Sequence, residues 1–299
     1  MNVEKWLSEN TQDLSGKTVA ITGSTGGLGR ELCRMLALLG ASLILLDRNA
    51  GRSGAHRQEL ISNYGISVEC VNVDMENIDT VITATELLKQ RNIDVFIHNA
   101  GAYSIPRRKC STGYNNIFQI NFASPTFMIR ELLPYLRRRR GRVVVVGSIA
   151  HNYSKTDVGD VDFSTRKRAS RIYGNAKRYL MFSLYELFKT ENEATLSVTH
   201  PGITFTNITA HYPKLIFAII KYPMKVIFMK PQKAALSILK GVFQSTGECE
   251  WIGPEFFNIW GLPKKTEIKT CGPAERRKIA KVAEEVYKSC KQQNKSECF

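Results

Sequence analysis

Short runs of almost unbroken apolar residues alternate along this chain with longer stretches whose apolar positions recur at helical spacing. The short runs are Thr18 to Thr22, Ser42 to Leu46, Ser67 to Asn72, Val95 to His98, Val143 to Val146 and Leu196 to Thr199. Such runs suit strands buried on both faces. Between them the spacing predicts helices over Leu28 to Gly40, near Ala55 to Tyr64, around Asp79 to Arg91, over roughly Asn115 to Arg140 and over Tyr173 to Thr190. That alternation predicts an α/β fold, a doubly wound parallel sheet with helices on both faces. No linker or internal repeat interrupts residues 16–270, which read as one domain. Residues 1–15, with Trp6 and Leu7, read as a docking arm, and residues 271–299 as an exposed, lysine-rich helical tail.

Two stretches fall outside the alternation. Residues 149–172 are rich in Asp, Lys and Arg. Residues 207–230 are apolar and aromatic, broken by Pro213, Lys221, Pro223, Lys225 and Lys230. As a lid, their inner surface would include Ile208, Tyr212, Phe217, Ile220 and Phe228 and would suit a bulky hydrophobic alcohol or ketone; the same residues also fit ordinary core packing. The segment is too short and too interrupted to span a bilayer, but its lysines suit a helix lying on anionic lipid.

Composition narrows the classes. The chain has 299 residues, enough for one large core, and no apolar leader with a cleavage site, so a cytoplasmic protein, peripheral at a membrane if bound there at all, is expected. Its seven cysteines show no CxxC or Cys/His spacing, which points to reduced thiols and no metal site. The formal charge of +15 calls for an anionic partner. Basic residues interleaved with aromatics are missing, so nucleic acid is not expected. The run Arg137 to Arg140 closes a helix, where cations meet the negative dipole end. Anionic lipid or the phosphates of a cofactor account for the remainder.

The chemistry gathers at strand ends. Gly23, Ser24, Thr25, Gly27, Leu28 and Gly29 follow the first strand and open a helix. In that setting glycines permit a tight turn and close approach of a pyrophosphate to helix N–H groups. Asp47 ends the second strand, where a carboxylate can accept from an adenosine ribose and repel a 2′-phosphate. It can equally cap the next loop, and Arg48 beside it can accommodate that phosphate; NAD(H) is favoured and NADP(H) stays open. Asp74, past the third strand, can take the adenine amino group or simply form a turn. Asn99, Ala100 and Gly101 offer small residues against the adenosine side, and Pro201, Gly202 and Thr206 suit the nicotinamide carboxamide.

Tyr173 and Lys177 stand four apart, on one face of a helix, and Ser148 ends the all-valine strand before them. Hydride transfer to a ketone leaves an alkoxide that needs a proton. A free phenol titrates near pH ~10, and cations nearby, Lys177 and an oxidised nicotinamide, would bring it toward neutrality. Ser148 would hold the substrate oxygen toward Tyr173. His98, His151 and His200 read as structural groups, since Tyr173 already fills the acid/base role.

In these residues, taken in order with Asn121, the chain resembles the short-chain dehydrogenase/reductase superfamily over roughly residues 15 to 245. The gap between Ser148 and Tyr173 and the segment Gly253 to Asn258 resemble its retinol dehydrogenase-like and hydroxysteroid branch. The resemblance implies a Rossmann fold and NAD(P)(H)-dependent interconversion of an alcohol and its ketone, with a steroid or retinoid-like lipid as leading substrate class. It also implies a water-holding role for Asn121, ribose contacts for Lys177 and Tyr173, further cofactor contacts at Met75 and Ile203, and a homodimer or homotetramer. A dinucleotide sensor without catalysis is the competing reading, and the intact Ser148, Tyr173 and Lys177 set argues against it. Nucleotide-sugar chemistry would call for a larger C-terminal domain.

Overall fold

The computed structural model describes residues 3–203 and 229–296. Eight strands form one sheet: β1 (Thr18–Thr22), β2 (Ser42–Asp47), β3 (Val68–Asn72), β4 (Val95–His98), β5 (Arg142–Val146), β6 (Thr195–Thr199), β7 (Glu250–Phe256) and β8 (Trp260–Glu267). Their order is β3-β2-β1-β4-β5-β6-β7-β8. Every neighbouring pair is parallel except β7 with β8. The chain reverses direction across the sheet between β1 and β4, which opens a crevice at the strands' carboxyl ends. Thr22, His98, Val146 and Thr199 end their strands there.

The helices are α1 (Val3–Asn10), α2 (Gly27–Leu38), α3 (Ala50–Tyr64), α4 (Ile78–Lys89), α5 (Asn116–Phe118), α6 (Ser124–Arg138), α7 (Ala169–Leu187), α8 (Pro231–Phe243) and α9 (Pro273–Ser296). One face of the sheet buries Leu32, Leu36, Leu60, Leu236 and Leu239 with Trp6 of α1. The other buries Phe118, Phe122, Phe127, Tyr179 and Phe182 with Ile279 and Val286 of α9. Each fully buried side chain of this size contributes about 1.5–3 kcal/mol.

Four expectations change. The predicted continuous helix from Asn115 to Arg140 is split, because a π-helical turn, Gln119–Ala123, separates α5 from α6. Pro125 has no N–H for the carbonyl four residues back, and Asn121 Nδ2 donates to the Ile117 carbonyl at 2.8 Å, so the backbone widens there. The predicted helix at Tyr173 starts four residues earlier, at Ala169. The lysine-rich tail is helical but not simply exposed, because Ile279, Val282, Ala283, Val286 and Cys290 form a buried stripe. Finally, β7 and β8 extend the sheet beyond the predicted strands. The proposed lid over 207–230 lies outside the described residues except for Met229 and Lys230, and Thr206 lies outside them too.

Candidate active site

The glycine turn is built for close backbone approach. Gly23 has φ 70°, and a Cβ on Gly29 would stand 2.2 Å from the Gly23 carbonyl oxygen. Gly27 and Leu28 open α2, whose N-cap Gly26 supplies no side-chain bond to the first turn. Those N–H groups and the dipole end face the crevice, a fit for a pyrophosphate. Thr22 Oγ1 accepts from the N–H groups of Asn99 and Ala100 at 3.1 and 3.0 Å. Asn99 Nδ2 donates to the carbonyls of Thr22 and Gly23 at 3.1 and 3.0 Å, locking β1 to β4.

Asp47 departs from its expected role. Its carboxylate is buried and accepts from the hydroxyls of Ser24, Thr25 and Ser53 and from the Thr25 N–H. A preference for NAD(H) needs a carboxylate free to meet a ribose, and these four donors occupy it. Arg48 is exposed beside it. Arg52, which the sequence reading passed over, donates from Nη2 to the Thr25 carbonyl at 3.1 Å and so lays its guanidinium on the glycine turn. An Arg five residues past a strand-end Asp, in the first turn of the next helix, was the available signal.

Asp74 accepts from the Glu76 N–H at 3.0 Å, so one oxygen serves its own turn. The Met75 carbonyl accepts from Ser124 Oγ at 2.6 Å. On the far side, Pro201 is buried, Gly202 has φ 78°, and the Ile203 carbonyl accepts from the Met229 N–H at 2.9 Å.

Between these halves the structure brings together all four expected catalytic residues. Ser148 is the N-cap of a 3-10 turn, Ile149–Tyr153, where its Oγ accepts from the Ala150 N–H at 3.2 Å, and its hydroxyl opposes the rise that burial imposes on the Tyr173 phenol. Lys177 Nζ lies 5.7 Å from the Tyr173 ring centre and donates to the Val146 carbonyl at 2.8 Å. Asn121 Oδ1 accepts from the Ala102 N–H at 3.3 Å, and Nδ2 donates to the Ala102 carbonyl at 2.8 Å. The space above the Gly101 α-carbon is bounded by Asn121 Oδ1 and Lys177 Nζ, 2.9 and 3.7 Å from where a Cβ would stand. That gap between an acceptor and an ammonium suits a water.

The electrostatics differ from the expectation that Lys177 depresses the phenol. Burial pushes Tyr173 up to about 12, against the Ser148 hydrogen bond, and burial brings Lys177 down to about 7. The protein alone therefore leaves the pair poorly charged, and a cation entering the crevice is needed to favour phenolate. Tyr103, also missed, meets the Tyr173 ring edge-on at 5.3 Å. An aromatic two residues past the small Gly101 was its only signal in the sequence.

His98, His151 and His200 make contacts within the fold, although His98 Nε2 and His200 Nδ1 are buried without a hydrogen-bond partner among the described residues. His98 Nδ1 faces Thr22 Oγ1 at 3.2 Å. His151 spans from the Ser148 carbonyl, 2.6 Å from Nδ1, to Thr270 Oγ1, 2.9 Å from Nε2. His200 stacks on Trp251 at 4.9 Å.

Known proteins share this design. The chain is 26% identical to the dehydrogenase/reductase SDR family member FEY of Arabidopsis thaliana over 91% of its own length and 76% of that protein. It is 30% identical to retinol dehydrogenase 14 of Mus musculus over 66% of its own length and 64% of that protein. A crystal structure of an uncharacterized protein from Mycobacterium Paratuberculosis superposes with TM-score 0.69 at 22% identity, covering 95% of this chain and 96% of that one. The short-chain dehydrogenase of Sphingobium yanoikuyae, solved with NADPH, superposes with TM-score 0.60 at 19% identity, covering 90% and 94%. The family model described as short chain dehydrogenase matches residues 17–167, a span that runs from the first strand past Ser148. The chain belongs to the short chain dehydrogenase family, whose fold binds NAD(P).

Proposed function

We propose that this protein is an NADP(H)-dependent oxidoreductase that interconverts a hydrophobic secondary alcohol and its ketone. The observation that carries the reading is Lys177 Nζ 5.7 Å from the Tyr173 ring centre and 3.7 Å from the open space above Gly101, beside a glycine turn without a side-chain cap. The nicotinamide, when bound, supplies or accepts the hydride and brings a positive charge in its oxidised form. Ser148 holds the substrate oxygen by hydrogen bond, and Tyr173 exchanges the proton at that oxygen. Lys177 would hold the ribose of the bound cofactor, whose positive charge in the oxidised form would favour the phenolate. Asn121 holds a water that passes the proton on from Lys177.

Three features support NADP(H). Asp47 is saturated by its own turn, Arg52 lies on that turn, and Arg48 is free to face a 2′-phosphate. The Sphingobium relative was solved with NADPH, in line with this choice. The substrate class rests on the apolar 207–230 segment and on the partial identity to a retinol dehydrogenase. Steroid or retinoid-like ketones lead, with a dimer or tetramer as the assembly to test.

The test is NADPH and NADH consumption against ketosteroids, retinaldehyde and small ketones, with Tyr173→Phe alongside. Turnover in the wild type that falls at least about a hundredfold in the variant is expected. Cofactor binding without turnover on any ketone would transfer the assignment to a dinucleotide sensor.

A further inference from the structure

The β7–β8 hairpin ends in a turn that a folding argument alone would not choose. Phe257 and Asn258 both adopt left-handed backbone, with φ 53° and 57°, inside a turn closed by the Ile259 N–H on the Phe256 carbonyl at 2.9 Å. Such turns favour Gly, Asn or Asp at both positions, and an aromatic residue there costs about 1 kcal/mol. Phe257 is nevertheless 84% exposed. Phe256, Trp260 and Leu262 on the same hairpin are 57%, 40% and 36% exposed. A strained backbone that displays an apolar side chain to water is a cost to folding, which points to a task outside it.

The partner can be argued from shape and charge. At ~150–250 Å² per large side chain, these exposures sum to roughly 400 Å², about half of the ~800 Å² that each partner buries in a stable protein interface. The exposed side chains gather at the end of a hairpin. Aromatic residues on a tip insert well at the level of lipid headgroups, where an apolar body meets water. Behind the tip stand Lys264, exposed, Lys265, which pairs with Glu250 at 3.5 Å, and Lys240, which donates to the Pro263 carbonyl at 3.0 Å; Glu255 is the acid closest in sequence to the tip. The net charge of +15 adds long-range attraction to an anionic surface. No helix among the described residues is long and apolar enough to cross a membrane, so contact would be peripheral.

We propose that Phe256, Phe257, Trp260 and Leu262 at the tip of the β7–β8 hairpin form an interfacial anchor that seats this protein on bilayers containing anionic lipid. The anchor stands independently of the catalytic reading. It does place the lipid surface beside the crevice: the Asn258 carbonyl lies 3.1 Å from His200 Nε2, and the Ile259 carbonyl lies 2.7 Å from where a Cβ on Gly202 would stand.

The experiment uses the full chain with vesicles of phosphatidylcholine alone and of phosphatidylcholine mixed with phosphatidylserine. Trp6 and Trp251 are buried, so Trp260 reports on the tip. We expect co-sedimentation with the mixed vesicles and a blue shift of tryptophan emission that Trp260→Phe abolishes. Phe257→Asn suits the left-handed turn, so it should fold at least as well as the wild type while its vesicle affinity falls about tenfold. Failure of the wild type to bind mixed vesicles, or undiminished binding by Phe257→Asn, would overturn the proposal. A self-association in sedimentation velocity that Phe257→Asn removes would also overturn it, by assigning the tip to a second copy of the chain.

Discussion

Gly174 meets Ala150 backbone to backbone: a Cβ on Gly174 would stand 2.2 Å from the Ala150 carbonyl oxygen. Gly174 follows Tyr173 in α7, and Ala150 lies two residues past Ser148 in the 3-10 turn, so this contact sets the distance between the helix that carries the phenol and the turn that carries its hydroxyl partner. Gly174→Ala must push the two apart. We expect a loss of about 1–3 kcal/mol in stability and a fall in kcat of at least about tenfold with the fold retained. Denaturation and steady-state kinetics together check it; an unchanged kcat would refute the spacing role.

Arg52 tests the cofactor assignment. Arg52→Ala is expected to lower kcat/KM for NADPH about tenfold and leave that for NADH nearly unchanged. Equal losses with both cofactors would show that the guanidinium merely supports the glycine turn.

Lys177 costs stability in the protein without cofactor. Its folded value of about 7 lies below its ordinary 10.5, so over that window the unfolded chain holds a proton that the folded chain releases. Stability therefore rises with pH from about 7 to about 10.5, and at neutral pH the burial cost is nearly full. Lys177→Met should abolish turnover and raise stability by on the order of 2–3 kcal/mol, less the loss at the orphaned Val146 carbonyl. A lower denaturation midpoint in the variant would contradict the burial cost.

Four histidines predict acid sensitivity. Burial lowers His56, takes His98 well below 6.5, and holds His151 at about 4 and His200 at about 3. His98, His151 and His200 are neutral in the folded protein near pH 6 and His56 is shifted in the same direction, while the unfolded chain takes up protons as pH falls through 6.5. Their contribution is complete above that value and is lost below it, at up to ~1.4 kcal/mol per histidine per pH unit. Tm measured between about pH 7.5 and pH 5 should fall steeply on the acid side. A flat profile would show that these side chains do not remain neutral and buried.

Arg178 holds α9 to α7. It donates to Glu275 from Nε at 2.9 Å and Nη2 at 2.7 Å and to the Thr270 carbonyl at 2.6 Å, and only 3% of its side chain is exposed. Burial pushes the Glu275 carboxyl up, but Arg178 and Thr156 outweigh it and hold the group at about 2. Glu275→Ala leaves a buried guanidinium without its partner and should cost about 3–5 kcal/mol. A Tm close to wild type would show that water replaces the carboxylate.

The convergence of Ser148, Tyr173 and Lys177 was legible because its signal is local spacing and order: Tyr173 and Lys177 share a helix face, and Ser148 follows a run of valines that must be a strand. The direction of the Asp47 carboxylate was not, since Ser24, Thr25 and Ser53 settle it from two other elements. β8 escaped because Trp260–Glu267 contains Gly261, Pro263 and two lysines, an edge-strand composition. In α9 the stripe Ile279, Val282, Ala283, Val286 and Cys290 was present at helical spacing, hidden by the lysines between its members. The π turn at Asn121 had a partial signal in Pro125, whose missing N–H removes one helical hydrogen bond there, although α6 also accommodates Pro134 in its interior.

The Arg178–Glu275 pair also bears on how the protein is made. The two residues lie 97 positions apart, and synthesis at about 5–20 residues per second leaves several seconds between them. During that interval α7 exists without the carboxylate that neutralises its guanidinium and without the α9 stripe that covers its apolar face. The nascent chain thus exposes a sticky, cationic surface late in translation, and folding of the active half waits on a segment that leaves the ribosome long after Tyr173 and Lys177.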